Sequence, residues 1–313
     1  MRPFLFDPQA TPQSRFLAGG TTLVDLMKLD VEQPTHIYDI NHQDELSHIE
    51  ASDGGLKLGA MVRMAEAAEH PDIQRLYPVL AQSLMLAASP QIRNMASLGG
   101  NVLQRTRCTY FRDTAYAQCN KRIPGSGCAA MDGVNRQHAI LGTSNSCIST
   151  YPGDFAQALI ALDAEVETSQ RSFPFAQLHL GPDRPEVETQ LQPGEMIRFY
   201  MVPAGDFRRS IYLKIRDRDS YQFALASAAV VLQRDGTKVT DARIALGGVA
   251  YKPWRTKEAE AMLKDQELSE DLAVRVADTA FAGAQPRGQN AFKLELGRRT
   301  LVRALLQADR MEI

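Results

Sequence analysis

An α+β chain of more than one unit is what this sequence predicts, and three observations carry that expectation. At 313 residues the chain is too long for one small core, which points to two or three units. From Ser210 onward the pattern runs strand, strand, strand, helix, helix, helix, the order of an α+β domain of about 100 residues. Between these limits, residues 104–153 lose periodicity and hold all four cysteines, as a long structured loop held by something would.

Taken in order, Phe16 to Lys28 reads as a turn and short helix, and His36 to Ile40 as a strand. Asp53-Gly54-Gly55 is a turn flanked by alternating residues, hence a hairpin. From Met64 to Ser89 the pattern is helical, with Leu76, Val79, Leu80, Leu84 and Leu86 near helical spacing and Pro90 closing the run. Phe155 to Ala164 reads as a helix and Glu165 to Thr168 as the start of a strand. Thr168 to Gly194 is polar, carries Pro174, Pro182, Pro185 and Pro193, and reads as irregular surface. The C-terminal strands are expected at Ser210 to Ile215, Phe223 to Leu232 and Ala242 to Val249, the last two joined at Asp235-Gly236. The helices are expected at Lys257 to Lys264, Glu270 to Ala284 and Phe292 to Ala308. A boundary is expected near Pro203 to Phe207, giving domains 1–205 and 206–313. No internal repeat stands out.

Composition is that of an ordinary globular protein, 44% hydrophobic and 23% charged. A formal net charge of −2 gives no reason to expect nucleic-acid or anionic-membrane binding. The six histidines are scattered, with no H-x-x-x-H pair for a catalytic zinc helix. The start MRPFLFDPQATPQSRF lacks the apolar core of a secretory signal, and no apolar run approaches the roughly 20 residues of a membrane span. The chain by itself is therefore expected in the cytoplasm, or in the periplasm if exported with a partner that carries the signal.

Two glycine turns are candidates for a nucleotide cofactor. In Leu17-Ala18-Gly19-Gly20-Thr21-Thr22-Leu23, two glycines permit close backbone approach, the following helix start offers free N–H groups, and two threonines add hydroxyls. As a lone motif, a plain turn with a threonine N-cap explains it more simply. The second turn, Arg93 to Asn101, sets Ser97 and Asn101 on either side of Gly99-Gly100 and again suits contacts to phosphate or ribose. Gly125-Ser126-Gly127-Cys128-Ala129-Ala130 matches a loose dinucleotide fingerprint but follows no strand, so a Rossmann domain is rejected. Tyr212 to Ser220 reads as a solvated strand end with paired charges, worth little; the functional alternative sets Lys214 beside a ring or phosphate.

The cysteines, Cys108, Cys119, Cys128 and Cys147, are spaced C-x10-C-x8-C-x18-C. Disulfides are not expected without a secretion signal. The close pairs of a structural zinc site are absent, as is the tight run of a ferredoxin-type cluster. Spacing alone leaves cluster, zinc and free thiols open.

Several segments, in order along nearly the whole chain, match one family. They are LAGGTTLVDLMK (17–28), LGA (58–60), SPQIRNMASLGGNVLQ (89–104), DFAQALIALDAEVE (154–167), GEMI (194–197), YLKIRDRDSYQFALASAAVVL (212–232) and RIALGGVA (243–250). The chain resembles the flavin-binding medium subunits of the xanthine dehydrogenase and aldehyde oxidase family of molybdenum hydroxylases. LQRTRCTYFRDTAYAQCNKRIPGSGCAA (103–130) and SNSCIST (144–150) are similar to medium subunits of bacterial periplasmic aldehyde oxidoreductases and, more distantly, of 4-hydroxybenzoyl-CoA reductases.

That resemblance implies a two-lobed FAD-binding domain of the vanillyl-alcohol-oxidase (PCMH) type, then a CO-dehydrogenase-flavoprotein-like βββααα domain. It implies FAD diphosphate on Leu17, Ala18, Gly19, Gly20, Thr21, Thr22, Leu23 and Val24. Ala87 and Ala88 would line the cofactor, and Ser97, Gly99, Gly100 and Asn101 would make the second phosphate and ribose contact. Asp154, Ile197 and Lys214 would lie further along, the last two near the adenine or flavin. A [4Fe–4S] cluster on Cys108, Cys119, Cys128 and Cys147 is implied too. So are a large partner with a molybdenum cofactor, a small partner with [2Fe–2S] centres, and an external electron acceptor. No acid–base catalytic residue is expected here. Two rivals are a stand-alone flavin oxidase and a zinc-binding scaffold subunit. One departure stands out: Phe4-Leu5-Phe6 is separated from Leu17 by only ten residues, where the family has a helix after its first strand.

Overall fold

The computed structural model of the chain describes residues 13–313, so the expected strand at Phe4-Leu5-Phe6 and the shortened helix after it lie outside the described residues. The described chain opens with a strand, β1 (Ser14–Leu17), where a turn was expected from Phe16, followed by α1 (Leu23–Lys28). β1 pairs in parallel with β2 (His36–Asp39), which anchors the strand that enters the first glycine turn.

β3 (Ile49–Ser52) and β4 (Gly55–Gly59) form the hairpin expected at Asp53-Gly54-Gly55. Gly55 is required there: its φ is +121°, and a Cβ would lie 2.2 Å from the Val202 carbonyl oxygen. The single helical run expected at Met64 to Ser89 is three helices, α2 (Met64–Glu69), α3 (Pro71–Leu76) and α4 (Pro78–Met85). Pro71 and Pro78 each occupy the first helical position, where the missing N–H costs nothing, and each ends the helix before it. Two short helices follow, α5 (Pro90–Arg93) and α6 (Leu98–Val102), capped by the Ser89 and Ser97 hydroxyls.

Beyond the cysteine loop and its one helical turn, α7 (Thr109–Arg112), the chain enters α8 (Phe155–Ala161), all of whose residues are buried. A helix apolar on every side but for Gln157 belongs inside a protein. α8 packs against α4 on one side and against the C-terminal sheet on the other. β5 (Glu165–Thr168) and β6 (Ser172–Pro174) come next, then β7 (Ile197–Pro203), which the sequence reading missed. β7 is nonetheless the middle strand of the five-stranded sheet β3-β4-β7-β5-β6. The stretch read as irregular surface thus contains β6 and leads into a core strand.

The C-terminal unit carries β8 (Ser210–Ile215), β9 (Ala226–Asp235) and β10 (Lys238–Gly247), an antiparallel meander, with a two-residue edge strand, β11 (Trp254–Arg255). Gly236 turns β9 into β10 at φ +58°, as the Asp235-Gly236 signal predicted. α9 (Lys257–Ala261), α10 (Glu270–Ala280) and α11 (Phe292–Asp309) follow. β9 is buried on both faces, one toward α9, α10 and α11 and the other toward α4 and α8. That explains a strand with no polar alternation. One continuous core therefore runs from the first unit into Tyr212, Ala229, Val231 and Ala245 of the second. Among the described residues, no helix is long and apolar enough to cross a membrane.

Candidate functional site

The two glycine turns, about 75 residues apart in sequence, meet in space. A Cβ on Gly19 would stand 1.9 Å from the Met95 carbonyl oxygen and 2.7 Å from its carbon, so only glycine lets the first turn reach the second segment. Arg63 clamps the meeting point: Nη1 donates to the Met95 carbonyl at 2.7 Å and Nη2 to Asn41 Oδ1 at 3.2 Å. Asn41 Nδ2 in turn donates to the Ala18 carbonyl at 3.1 Å. Gly20 sits at φ +72°, which aims the chain into α1.

The turns differ in what they leave free. Among the described residues, the N–H groups of Gly19, Gly20 and Thr21 have no acceptor, and Thr22, at the N-cap of α1, makes no side-chain cap bond. Clustered free donors of this kind fit an anion. In the second turn the N–H groups are engaged: Leu98 to Val62, Gly99 to Ala60, Gly100 to the Ser97 hydroxyl, Asn101 to the Ser97 carbonyl. Its free group is the Asn101 side chain, whose Oδ1 is buried without a partner. An orphaned buried acceptor calls for a donor that the protein does not supply.

A second group forms around Asp154, Lys214 and the chain at 86–88. Lys214 Nζ lies 2.8 Å from Asp154 Oδ2 and 3.0 Å from the Leu86 carbonyl, and both side chains are almost wholly buried. Tyr212 OH donates to Asp154 Oδ1 at 2.7 Å and lies 2.9 Å from the Ser227 hydroxyl. Reading Tyr212 to Ser220 as a solvated strand end therefore fails for Tyr212 and Lys214. β8 alternates, and its inward face is Ser210, Tyr212 and Lys214. Ala87 accepts a bond from Arg93 at 2.8 Å, and Ala88 sits at φ +49°, a strained position for a residue with a Cβ. Ile197 begins β7 in the core; its neighbour Arg198 bonds Ala60, which accepts from Gly99.

In the cysteine loop, Cys119 and Cys128 face each other across a hairpin bridge, tied by Asn120 N–H to Gly127 at 2.9 Å and Ala129 N–H to Gln118 at 3.0 Å. The glycines of the rejected dinucleotide fingerprint are the tip of that hairpin, at φ +83° for Gly125 and +97° for Gly127. Cys108 precedes α7, and Cys147 Sγ lies 3.4 Å from the Ser149 hydroxyl. All four cysteines are free thiols. The Cys128 thiol hydrogen-bonds Cys147, which with Lys121 and Ser149 pulls Cys147 down to about 6 against the effect of burial. Burial pushes Cys108 up to about 12, and Cys119 and Cys147 lie within its electrostatic reach. His138 Nε2 is 3.1 Å from Cys108 Sγ, and burial holds this imidazole down at about 4. Among the described residues, no three His, Cys, Asp or Glu side chains gather round a single metal ion. A lone zinc draws its sulfurs to about 2.3 Å. A four-iron cluster places iron and sulfide between its thiolates, which stand farther apart. Four neighbouring thiols with no disulfide between them suit the second arrangement as a donor set.

Residues 6–205 match the FAD binding domain in molybdopterin dehydrogenase, and residues 211–308 match the CO dehydrogenase flavoprotein C-terminal domain. The chain belongs to the FAD-binding subunits of the molybdopterin dehydrogenase family. It is 48% identical to the aldehyde oxidoreductase FAD-binding subunit PaoB of Escherichia coli, covering 96% of this chain and 93% of that one. It is 27% identical to the carbon monoxide dehydrogenase medium chain of Hydrogenophaga pseudoflava, over 95% of this chain and 90% of that one. The solved structure of that organism's carbon monoxide dehydrogenase, lacking the Mo-pyranopterin moiety, superimposes with a TM-score of 0.74 at 26% identity, over 96% and 91% of the two chains. The expected succession of an FAD-binding domain and a CO-dehydrogenase-flavoprotein-like domain is met.

Within this family frame, the sequence reading missed several residues that hold the site together. Asn41 and Arg63 clamp the two turns, Tyr212 completes the Asp154 group, and Asp25 on α1 reaches Arg112 at 2.7 Å and Arg107 at 3.3 Å in the cysteine loop. Lys121 reaches Glu188 at 2.6 Å and Tyr251 at 2.8 Å. For Tyr212 the alternation of SIYLKI was a usable signal. Asp25 and Lys121 lie inside matching segments without any sign of their partners, and Asn41 and Arg63 lie outside every such segment.

Proposed function

We propose that this chain is the FAD- and [4Fe–4S]-carrying subunit of a molybdenum-dependent aldehyde oxidoreductase. In this reading electrons come from a large molybdenum-cofactor partner, with a small [2Fe–2S] partner between, and leave here to an external acceptor. The observation that carries it is the pair of glycine turns locked against each other, with free N–H groups at Gly19, Gly20 and Thr21 beside the unsatisfied Asn101. The aldehyde assignment is supported by the 48% identity to the PaoB subunit. Bound flavin supplies the redox chemistry; the protein supplies binding, orientation and electrostatics.

Residues 17–24 would hold the diphosphate, Gly19, Gly20 and Thr21 through N–H groups and Thr22 through its hydroxyl. Ser97, Gly99, Gly100 and Asn101 would form the opposite wall, with the glycines giving close approach and Asn101 the hydrogen bond. Ala87 and Ala88 would line the groove. Asp154 and Lys214 would fix its floor, since each neutralises the other, and Ile197 would back the second turn. Cys108, Cys119, Cys128 and Cys147 would ligate the cluster. Domains 1–205 and 206–313 would enclose the cofactor between them.

The test is the visible spectrum and iron content of the purified complex, before and after dithionite, for the native chain and Cys119→Ser. Flavin bands over a broad absorption that bleaches on reduction, with about four irons more in the native complex than in Cys119→Ser, are expected. Flavin with equal iron in both would remove the cluster. A colourless chain containing zinc would remove the electron-transfer role altogether.

A further inference from the structure

A line of alternating charges runs from the strand before the first glycine turn to the cysteine loop. Arg15 Nη2 is 2.8 Å from Glu32 Oε2, and Glu32 Oε1 is 2.6 Å from Arg105 Nη1. Arg105 Nε is 2.6 Å from Glu188 Oε2, and Glu188 Oε1 is 2.6 Å from Lys121 Nζ. Cations and carboxylates alternate along this line, and its last cation, Lys121, lies on the hairpin that carries Cys119 and Cys128.

Lys121 is two residues past Cys119, on the hairpin whose other side carries Cys128. Its ammonium is buried and makes three bonds: to Glu188, to Tyr251 OH at 2.8 Å and to the Pro185 carbonyl at 3.2 Å. All three protons are used, so the charge is fixed in place. Lys121 lines one small cavity with Ser149, the residue that hydrogen-bonds Cys147 Sγ, and its field acts on Cys147. A salt bridge would not need this position, since Glu188 already has Arg105.

We infer that Lys121 is an electrostatic positioning residue that raises the reduction potential of the cluster, and that Glu188 is the counter-charge limiting that effect. The inference rests on the [4Fe–4S] reading of the four cysteines. Reduction adds one electron to the cluster, and a fixed cation in a low-dielectric surround stabilises the added charge. Removing the cation must lower the potential. Removing the carboxylate beside it must raise the potential, because Lys121 then acts unopposed. A purely structural role predicts no such opposition of sign.

The experiment is an EPR-monitored redox titration, with iron analysis, of the intact complex carrying the native chain, Lys121→Met, Lys121→Arg or Glu188→Gln. Lys121→Met is expected to favour the oxidised cluster about tenfold, a fall of about 59 mV for a one-electron couple. Lys121→Arg is expected to restore most of the native value, and Glu188→Gln to move it upward. No shift in an iron-replete Lys121→Met complex overturns the inference, as does a shift of both variants in the same direction. If Lys121→Met fails to hold iron, Glu188→Gln decides alone: a rise supports the role of Lys121, and a fall or no change refutes it. A native complex with no iron beyond that of its [2Fe–2S] centres refutes the cluster reading instead.

Discussion

Replacing Gly19 by alanine should abolish tight FAD binding, and the size of the effect follows from one contact. The added Cβ would lie 1.9 Å from the Met95 carbonyl oxygen and 2.7 Å from its carbon, whereas real Cβ contacts stay beyond 3.0 Å. Both obstacles are backbone atoms, so no rotamer change relieves the clash. The first turn and residue 95 must separate by about 1 Å, a displacement on the scale that costs roughly a hundredfold where groups must be aligned. The separation also strains the Arg63 bond to the same carbonyl, at 2.7 Å in the native fold. Gly20→Ala is the matched control. Its cost is a positive φ of +72° and a side-chain contact with Val24 at 3.3 Å, about 1–2 kcal/mol of local strain with no backbone collision. The assay is the dissociation constant of FAD for the complex, from flavin fluorescence after exchange, with circular dichroism to check folding. Gly19→Ala should weaken binding on the order of a hundredfold and Gly20→Ala by less than about tenfold. Native-like affinity in Gly19→Ala, or equal losses in the two variants, would refute the claim that the turns must touch.

Three further outcomes are expected. Arg63→Ala, which frees Met95 and Asn41 from their clamp, should weaken FAD binding by about tenfold with little change in melting temperature; an unchanged affinity would make the clamp irrelevant. Asp154→Asn leaves the buried Lys214 without its counter-ion and should cost about 3 kcal/mol, roughly 10 °C in melting temperature. Adding Lys214→Met to it should recover part of the loss, and additive losses would argue against coupling. His179 is buried, donates to the Val102 carbonyl through Nε2 at 3.2 Å, and is held down at about 4 by burial. The unfolded chain takes up its proton near pH 6.5, so it binds more protons than the folded chain between pH 6.5 and 4. Stability should therefore fall by about 3 kcal/mol on acidification through that window and level off below it. His179→Asn should flatten the dependence; an identical pH profile of the melting temperature in both proteins would discount this histidine.

Local chemistry made some elements readable and hid others. Gly236 and the Asp53-Gly54-Gly55 turn were legible because a turn must be encoded where it occurs. So was the order of strands then helices in the C-terminal unit, where Ser269 caps α10 at 3.2 Å from the Leu272 N–H. The breaks in α2–α4 were also encoded, in Pro71 and Pro78, but the apolar spacing of Leu76, Val79, Leu80 and Leu84 continues across Pro78. Periodicity reports which face is buried and says nothing of where the axis turns. β7 was hidden because IRFYMVP lies after a proline-rich stretch, and only its pairing with β4 and β5 on either side makes it a central strand.

The same contrast explains the site. A glycine turn advertises a close approach, and Gly19 and Gly99 could be picked out without knowing what they approach. A buried ion pair advertises nothing: Asp154 and Lys214 are 60 residues apart, and each alone is an ordinary charged residue near an apolar run. Burial makes them a unit, because neither charge could enter the interior without the other. The family resemblance named both residues, and the fold supplies the reason they belong together. The line from Arg15 to Lys121 follows the same logic over a longer path. Arg105 and Lys121 come from the cysteine segment and the other three members from separate parts of the chain, and each alternates in sign with the next. Burial demands that alternation, because a cation at Lys121 can stand among thiols only if Glu188 is there, and Glu188 is held down at about 2 only because Arg105 and Lys121 overcome the effect of its burial. Reading such a line requires knowing which residues are interior, and that knowledge comes with the fold.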